Sequence, residues 1–387
     1  MAPRRKLLIV CMVTPHLPPD QAANALLPQL LREGLSRAGH EVRLLSFEPR
    51  EGRPRQPEVR YIRRPRNGLA RRLRVSQIET GLSVWRESKA FFQGAHVVHV
   101  HSNTFMNQVA AFAAHRRSIP FILTHYGTEI WHYRKRALDP FLWMNEKAAA
   151  VTYYSRLLRE RSFELGVVPR EPLVVYPAVD ERFQPPGAAA KREARRALGI
   201  EDGPVLLNVK RLHPLGGQSY LVQAMPEILK HHPKAKLFIA GEGEARKDLE
   251  ERIEGLGLGT SVVLLGLIDN RELPRFYHAA DLFVLPSRLE AFPTVAAEAL
   301  ASGLRVVSAD HPGGVELEEL FPEDVVLVPR EEVPALARAI LEALSRGGSS
   351  SAKSRERVER ELRPKAAVEA YLAIYRKAIR GDGVATD

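Results

Sequence analysis

The chain has 387 residues, 45% of them apolar, and carries 57 lysines and arginines against 46 aspartates and glutamates, a formal net charge of +11. That length exceeds one ordinary hydrophobic core and calls for two domains. A single cysteine, Cys11, excludes an intrachain disulfide framework and suits a reducing cytoplasm, while the excess positive charge points to an anionic partner: nucleic acid, acidic lipid or a phosphorylated substrate.

The first stretch, "MAPRRKLLIVCMVTPHLPP", has the basic flank and apolar run of a signal peptide without a small-residue cleavage site, and reads as a strand. Helix-like "LLPQLLREGLSRAG" follows, then strand-like "HEVRLLSF", "AHVVHVHS", "IPFILTHYG", "AVTYYS" and "PLVVYPAVD". Strands alternating with helical spacers predict parallel sheets built from βαβ units. The polar "ERFQPPGAAAKREARRALGI" reads as a linker. The alternation then restarts, with strands at "PVLLNVKRL", "AKLFIAGEG", "SVVLLGL", "DLFVLPS" and "RVVSAD" and helices between them. Two doubly wound domains in tandem are expected, with ligands bound beyond the carboxyl ends of the strands. No run approaches the roughly 18 apolar residues of a membrane span, so membrane contact is expected to be peripheral.

"EAFPTVAAE" (290 to 298) carries two carboxylates separated by mostly small, apolar residues. On one continuous helix Glu290 and Glu298 would stand about 80° apart around the axis and about 12 Å along it. Glycosidase carboxyls flank one bond at about 5 to 10 Å, so this is a poor fit to that chemistry. Placing Glu290 on a loop after the strand, with Pro293 in the first helical turn, gives another arrangement. The carboxylates then bracket a helix N-terminus whose N–H groups at Phe292, Thr294 and Val295 suit an anion such as a pyrophosphate. Carboxylates accept hydrogen bonds from sugar hydroxyls, so one is expected to hold a hexose and the other a ribose. "GEGEAR" (241 to 246) has Arg246 where a dinucleotide fingerprint needs its third glycine, and reads as a tight turn.

The ordered set "VKRLHPL", "LFIAGEGE", "DLFVLPSRLEAFPTVAAEALASGLRVVSADHPGGVELE" and "AAVEAYLAIYRKAI", with "VVHVHS", "ILTHYGTEIW" and "VVYPAVDERF" before it, resembles the retaining GT-B glycosyltransferases of glycosyltransferase family 4. The resemblance covers nearly the whole chain. It implies an α/β GT-B fold: two Rossmann-like, doubly wound parallel-sheet domains facing a cleft. Residues 1–185 would form the acceptor side and 200–362 the nucleotide-sugar donor domain, with a C-terminal helix over 363–380 returning to the first domain. The implied reaction moves a hexosyl unit from a nucleoside diphosphate sugar to an acceptor hydroxyl on a glycan, lipid or small molecule. Neither cofactor nor metal is expected, and no Asp-x-Asp motif is present.

Carried over residue by residue, the resemblance implies that His125 and Glu290 act at the transferred sugar and that Glu298 holds the ribose. Arg211 would neutralise the departing diphosphate, a role that suits a permanently charged, forked donor, and Phe292, Pro293, Thr294 and Val295 would supply main-chain contacts to it. Gly313 and Gly314 match the family's Gly-Gly turn, with Glu316 following. Base selection is expected around Gly266 to Ile268. The chain departs from the pattern at Ala22 and Ala23, where the family has two glycines that admit the diphosphate, and at Gly216, where it has a lysine that His213 or Lys210 would replace unless phosphate binding is weaker. A catalytically degenerate nucleotide-sugar-binding protein and a disaccharide synthase or phosphorylase therefore stay open as rivals.

The arginine-rich "REGRPRQPEVRYIRRPRNGLARRLR" (50 to 74) predicts peripheral contact with anionic lipid on the inner membrane face, or with a phosphorylated acceptor. No recognition helix, RNA-binding signature or aromatic-interleaved basic strip accompanies the charge, so nucleic acid is not an expected partner.

Overall fold

The computed structural model describes residues 7–18, 23–49, 55–64, 75–135, 137–200, 202–347 and 349–381. Chain contacts divide it into two units, the first running to Ala178 and resuming at Pro364, the second spanning Val179–Arg363.

In the first unit the strands are β1 (Ile9–Val13), β2 (Glu41–Phe47), β3 (Val59–Ile62), β4 (Val97–His101), β5 (Phe121–His125), β6 (Ala150–Tyr153) and β7 (Pro172–Val174). They pair in parallel in the order β3-β2-β1-β4-β5-β6-β7. Every residue of β4, β5 and β6 is buried, which is why these strands read as continuous runs: helices cover both faces of a parallel sheet. The C-terminal helix Pro364–Arg380 belongs to this unit and buries Val368, Tyr371, Leu372 and Tyr375 in its core. Gly34 lets it approach the helix Ala23–Arg37, because a Cβ there would lie 2.4 Å from Val368 Cγ2.

The second unit holds β8 (Val205–Val209), β9 (Lys236–Ala240), β10 (Val262–Gly266), β11 (Leu282–Leu285), β12 (Arg305–Ala309) and β13 (Val325–Val328). Their order is β10-β9-β8-β11-β12-β13, again parallel. Both units are thus doubly wound, with the strand order reversing between β1 and β4 and between β8 and β11.

Several elements were not in the sequence reading, among them the helices Val333–Arg346 and Ala352–Glu361. β3 lies within the arginine-rich stretch, and β13 follows the last expected strand. The stretch read as a linker contains the helix Ala188–Ala197, built from alanine, arginine, lysine and glutamate, which favour helix. Lys191 Nζ lies 2.7 Å from Asp281 Oδ1, and Arg195 grips the other carboxylate oxygen, tying this helix to the start of β11.

Candidate active site

At the reversal point of the second sheet, the chain leaves β8 and β11 toward opposite sides, the topology that in doubly wound sheets leaves room for a ligand beyond the carboxyl ends of the strands. β8 delivers Lys210 and Arg211 there, and the loop after β11 delivers Glu290. Lys210 Nζ lies 2.5 Å from Glu290 Oε1, with side-chain exposures of 30% and 12%. The Glu290 carbonyl accepts a hydrogen bond from Gly313 N at 3.0 Å. Gly313 and Gly314 occupy the first turn of the helix Pro312–Leu320 rather than a free turn. A Cβ at Gly314 would stand 2.4 Å from the Ala309 carbonyl, and one at Gly313 would meet the carbonyls of Glu290 and Ala291 at 3.0 Å. The helix is capped by His311, whose Nδ1 accepts from Gly314 N at 2.9 Å. Burial, partly offset by the nearby Glu290 charge, brings the His311 pKa down to about 4. Glu316 is buried behind this turn.

Arg211 is exposed, and its main chain is held from two sides. Gln218 Nε2 donates to the Arg211 carbonyl at 3.2 Å. The "GEGE" turn presses on the flanking residues, since Cβ atoms at Gly241 and Gly243 would fall 2.0 Å from the carbonyls of Lys210 and Leu212. Gly216 is buried, and a Cβ there would lie 2.3 Å from Gln218 Oε1. Gln218 therefore fills the space next to the position where the resemblance calls for lysine.

The helix after Glu290 runs Thr294–Ala301, and here the sequence reading needs correcting. Pro293 is the N-cap, with φ −82° and ψ 86°, and lies outside the first turn. These angles make an inverse γ-turn in which Thr294 N donates to the Phe292 carbonyl at 3.1 Å. The Thr294 N–H is thus engaged within the protein. Phe292 is buried, and the carbonyl of Val295 accepts from Tyr277 Oη at 3.1 Å.

Glu298 lies inside that helix. Its Oε2 accepts from Tyr277 Oη at 3.0 Å. Burial is the main cause that lifts its pKa to about 7; the Tyr277 hydrogen bond and Arg182 pull it down, and Asp180 pushes it up. Arg182 and Asp180 form a forked pair, Nε to Oδ1 at 3.0 Å and Nη2 to Oδ2 at 2.9 Å. Sequence reasoning missed Tyr277, Asp180 and Arg182, although "VVYPAVDERF" had marked the segment holding two of them.

In the first unit, His125 ends β5 with its ring fully buried. Nε2 donates to Asn145 Oδ1 at 2.9 Å, since Asn145 Nδ2 itself donates to the Phe141 carbonyl, and Nδ1 faces Glu129 Oε1 at 3.3 Å. Burial raises the Glu129 pKa, but the His125 contact and the Tyr126 N–H outweigh it and leave the carboxyl below its ordinary value. Both ring nitrogens of His125 are therefore engaged inside the protein. Neither partner was foreseen from the sequence.

Beside it runs a buried polar network. His99 bonds Tyr375 Oη and Thr124 Oγ1, each at 2.7 Å, and His101 Nδ1 bonds Tyr126 Oη at 2.7 Å. His101 Nε2 is buried without a hydrogen-bond partner. His101, Tyr126, Tyr154 and Tyr371 line a cavity of roughly 20 Å³, room for one water. Ala22 lies outside the described residues, and of Ala23 only its place at the start of the helix Ala23–Arg37 is described. Most of the arginine-rich segment, 50–54 and 65–74, is also outside them. Among the described residues no cluster of three His, Cys, Asp or Glu is placed to hold a metal ion, and no helix is long and apolar enough to cross a membrane.

Two family models match: Glycosyltransferase Family 4 over residues 29–183 and Glycosyl transferases group 1 over residues 190–363. A D-inositol 3-phosphate glycosyltransferase of Geodermatophilus obscurus is 30% identical over 75% of this chain and 69% of its own length. The chain belongs to glycosyltransferase family 4. An uncharacterised glycosyltransferase of Methanocaldococcus jannaschii is 29% identical over 80% of this glycosyltransferase and 82% of the relative. Among solved structures, the Anabaena protein HepE in complex with UDP-glucose superposes with a TM-score of 0.74 at 17% identity, covering 96% of this chain and all of HepE. The fold is accordingly GT-B, and the protein is a glycosyltransferase enzyme.

Proposed function

We propose that this enzyme transfers a hexosyl unit from a nucleoside diphosphate sugar to an acceptor hydroxyl with retention of anomeric configuration. The observation that carries this reading is the Lys210–Glu290 pair at the sheet reversal point, with Arg211 beside it. A carboxylate there accepts hydrogen bonds from sugar hydroxyls, while the two cations offset the charge that grows on the departing diphosphate. The deeper carboxylate, Glu298, takes the ribose. HepE, which shares the fold, holds UDP-glucose, and this supports a nucleotide-sugar donor.

The acceptor attacks from the face the leaving group departs, assisted by the leaving phosphate, and no metal takes part. His125 contributes through its main chain, its ring being spent on Asn145 and Glu129. The test is thermal stabilisation by a panel of UDP, GDP and ADP sugars, in which donor at about 100 times its dissociation constant stabilises by about 2.7 kcal/mol. Transfer to inositol 3-phosphate and to simple glycosides follows, with the product anomer read by NMR and chelator added in parallel. An inverted product would end the retaining assignment, and a folded protein that no donor stabilises would leave the degenerate reading standing.

A further inference from the structure

In the first unit the helices Val75–Phe91 and Phe105–His115 lie side by side. A Cβ at Gly81 would stand 3.3 Å from the Phe105 ring and 3.7 Å from Val109 Cγ2, and the Trp85 and Phe112 rings are 6.0 Å apart. Residue 81 thus meets 105 and 109 while 85 meets 112, so the two helices run in the same direction.

Each helix buries one apolar face, through Val84 and Phe91 on the first and Met106 and Ala110 on the second, and each carries a further apolar stripe that stays partly exposed among the described residues, with Trp143 packed beside Phe112. On the first, Ile78, Leu82 and Trp85 recur within an arc of about 60°; their exposures are 63%, 52% and 41%. On the second, Phe105 and Phe112 are 39% and 46% exposed. Isolated exposed apolar residues are ordinary, but five on two adjoining helices mark an interaction face.

The next position of each stripe is a cation. Lys89 follows Trp85 by four residues, Arg116 follows Phe112 by four, and both are exposed. Arg117 lies over the Trp85 ring at 5.2 Å. Among the carboxylates of these helices, Glu87 is paired with Arg60 and Glu79 sits about 60° beyond the edge of the stripe; the second helix has none. The chain as a whole carries +11. An apolar and aromatic platform with a basic rim complements the boundary layer of an anionic bilayer, where tryptophan and phenylalanine sit at headgroup level and basic side chains meet phosphates.

We propose that this two-helix face docks the protein peripherally on a membrane containing anionic lipid. Leu82, Ile78 and the aromatic rings enter the interface, and Lys89, Arg116 and Arg117 rest on lipid phosphates. The inference does not depend on which donor or acceptor the enzyme uses.

Flotation of the full chain with phosphatidylcholine vesicles, with and without about one-third phosphatidylglycerol, tests it. Binding is expected on the anionic vesicles and is expected to weaken with salt. Ile78→Ser/Leu82→Ser/Phe105→Ser and, separately, Lys89→Glu/Arg116→Glu are each expected to lower it by about tenfold or more. All five side chains are exposed and only Phe105 packs on the neighbouring helix, so stabilisation by donor should stay at the wild-type value and melting temperature should fall little in the serine variant and not at all in the charge variant, which separates failure here from failure of the transferase reading. Equal binding to both vesicles, or full binding by either variant, overturns the proposal. A lipid-free dimer in size-exclusion chromatography that the triple-serine variant dissolves, without vesicle binding, assigns the face to a second copy of the chain instead.

Discussion

Lys210 Nζ stands 2.5 Å from Glu290 Oε1, joining the end of β8 to the loop after β11 across the reversal point of the second sheet. The lysine is the nearest cation to the carboxylate expected to face the transferred sugar, and the chain has glycine where its relatives' pattern calls for another lysine. If Lys210 also serves the diphosphate in place of that lysine, its loss should be felt at both groups. Lys210→Met should lower kcat/KM for donor by about tenfold to a hundredfold. Glu290→Gln should release Lys210 to the phosphates, so calorimetry should find nucleoside diphosphate binding retained or tighter while kcat falls. A loss of nucleotide affinity in Glu290→Gln would show that the carboxylate supports the diphosphate site rather than competing for its lysine.

Glu298 gives a pH signature. Burial lifts its folded pKa to about 7 from an ordinary value of 4.5. Between those values the folded protein binds more protons than the unfolded chain, so this group makes stability fall as pH rises from 4.5 to 7. Glu298→Gln should flatten that part of the melting curve and gain about 1 to 2 kcal/mol at pH 8. The ionised carboxylate accepts from ribose hydroxyls more strongly than the protonated one, so wild-type nucleotide affinity should rise through pH 7 and the variant's should not. Nucleotide affinity with the same pH dependence in both proteins would remove Glu298 from the ribose.

The buried histidines of the first unit act in the opposite sense. Burial holds the His101 pKa down to about 3, and burial together with the adjacent His101 lowers that of His99. Both rings stay neutral in the folded protein, whereas the unfolded chain takes up protons near pH 6.5. Their contribution is complete above pH 6.5 and is lost as pH falls toward 3. Since His99 holds Tyr375 of the C-terminal helix, acid should loosen that helix. His101→Gln should cost about 1 to 2 kcal/mol at neutral pH, yet show a shallower loss of melting temperature between pH 7 and about 5. A parallel slope in wild type and variant would exclude His101 as a source of acid sensitivity.

How much of this the sequence disclosed depended on the range of the interaction involved. Fully buried strands such as "VVHVH" and "FILTH" announced themselves because a parallel sheet covered on both faces demands unbroken apolar runs. β3 did not, since an edge strand of four residues with Arg60 exposed carries little apolar signal. Glu290 and Glu298 could be singled out because their motif is contiguous, and Arg211 because "VKRLHPL" closes a strand-like run. Their pairings were invisible, because Lys210 reaches Glu290 only once β8 and β11 are side by side, and Asp180 and Arg182, more than a hundred residues before Glu298, act on it only in the folded unit. Pro293 was placed one position too far into its helix, because its fixed φ suits both the N-cap and the first turn and only ψ tells them apart. The partners of the His125 ring were hidden for a different reason: Glu129, four residues on, was within reach, but Asn145 comes from another helix.

Gly216 allows the missing lysine to be tested directly. Its neighbour Gln218 is 2% exposed, donates to the Arg211 carbonyl, and would meet a Cβ at Gly216 at 2.3 Å. Gly216→Lys alone should therefore force Gln218 aside and release Arg211, costing about 1 to 3 kcal/mol of stability and lowering activity despite the added charge. Gln218→Ala removes the obstruction but also the hydrogen bond that fixes Arg211, and should raise the donor KM by severalfold, about the worth of one such bond. In the combined Gly216→Lys/Gln218→Ala protein the lysine has room beside Arg211, and the donor KM should fall below that of Gln218→Ala. That non-additivity identifies a diphosphate site rebuilt around a different side chain. If Gly216→Lys instead raised activity without altering the melting temperature, Gln218 would be a yielding neighbour, and Lys210 could not be regarded as the lysine's replacement.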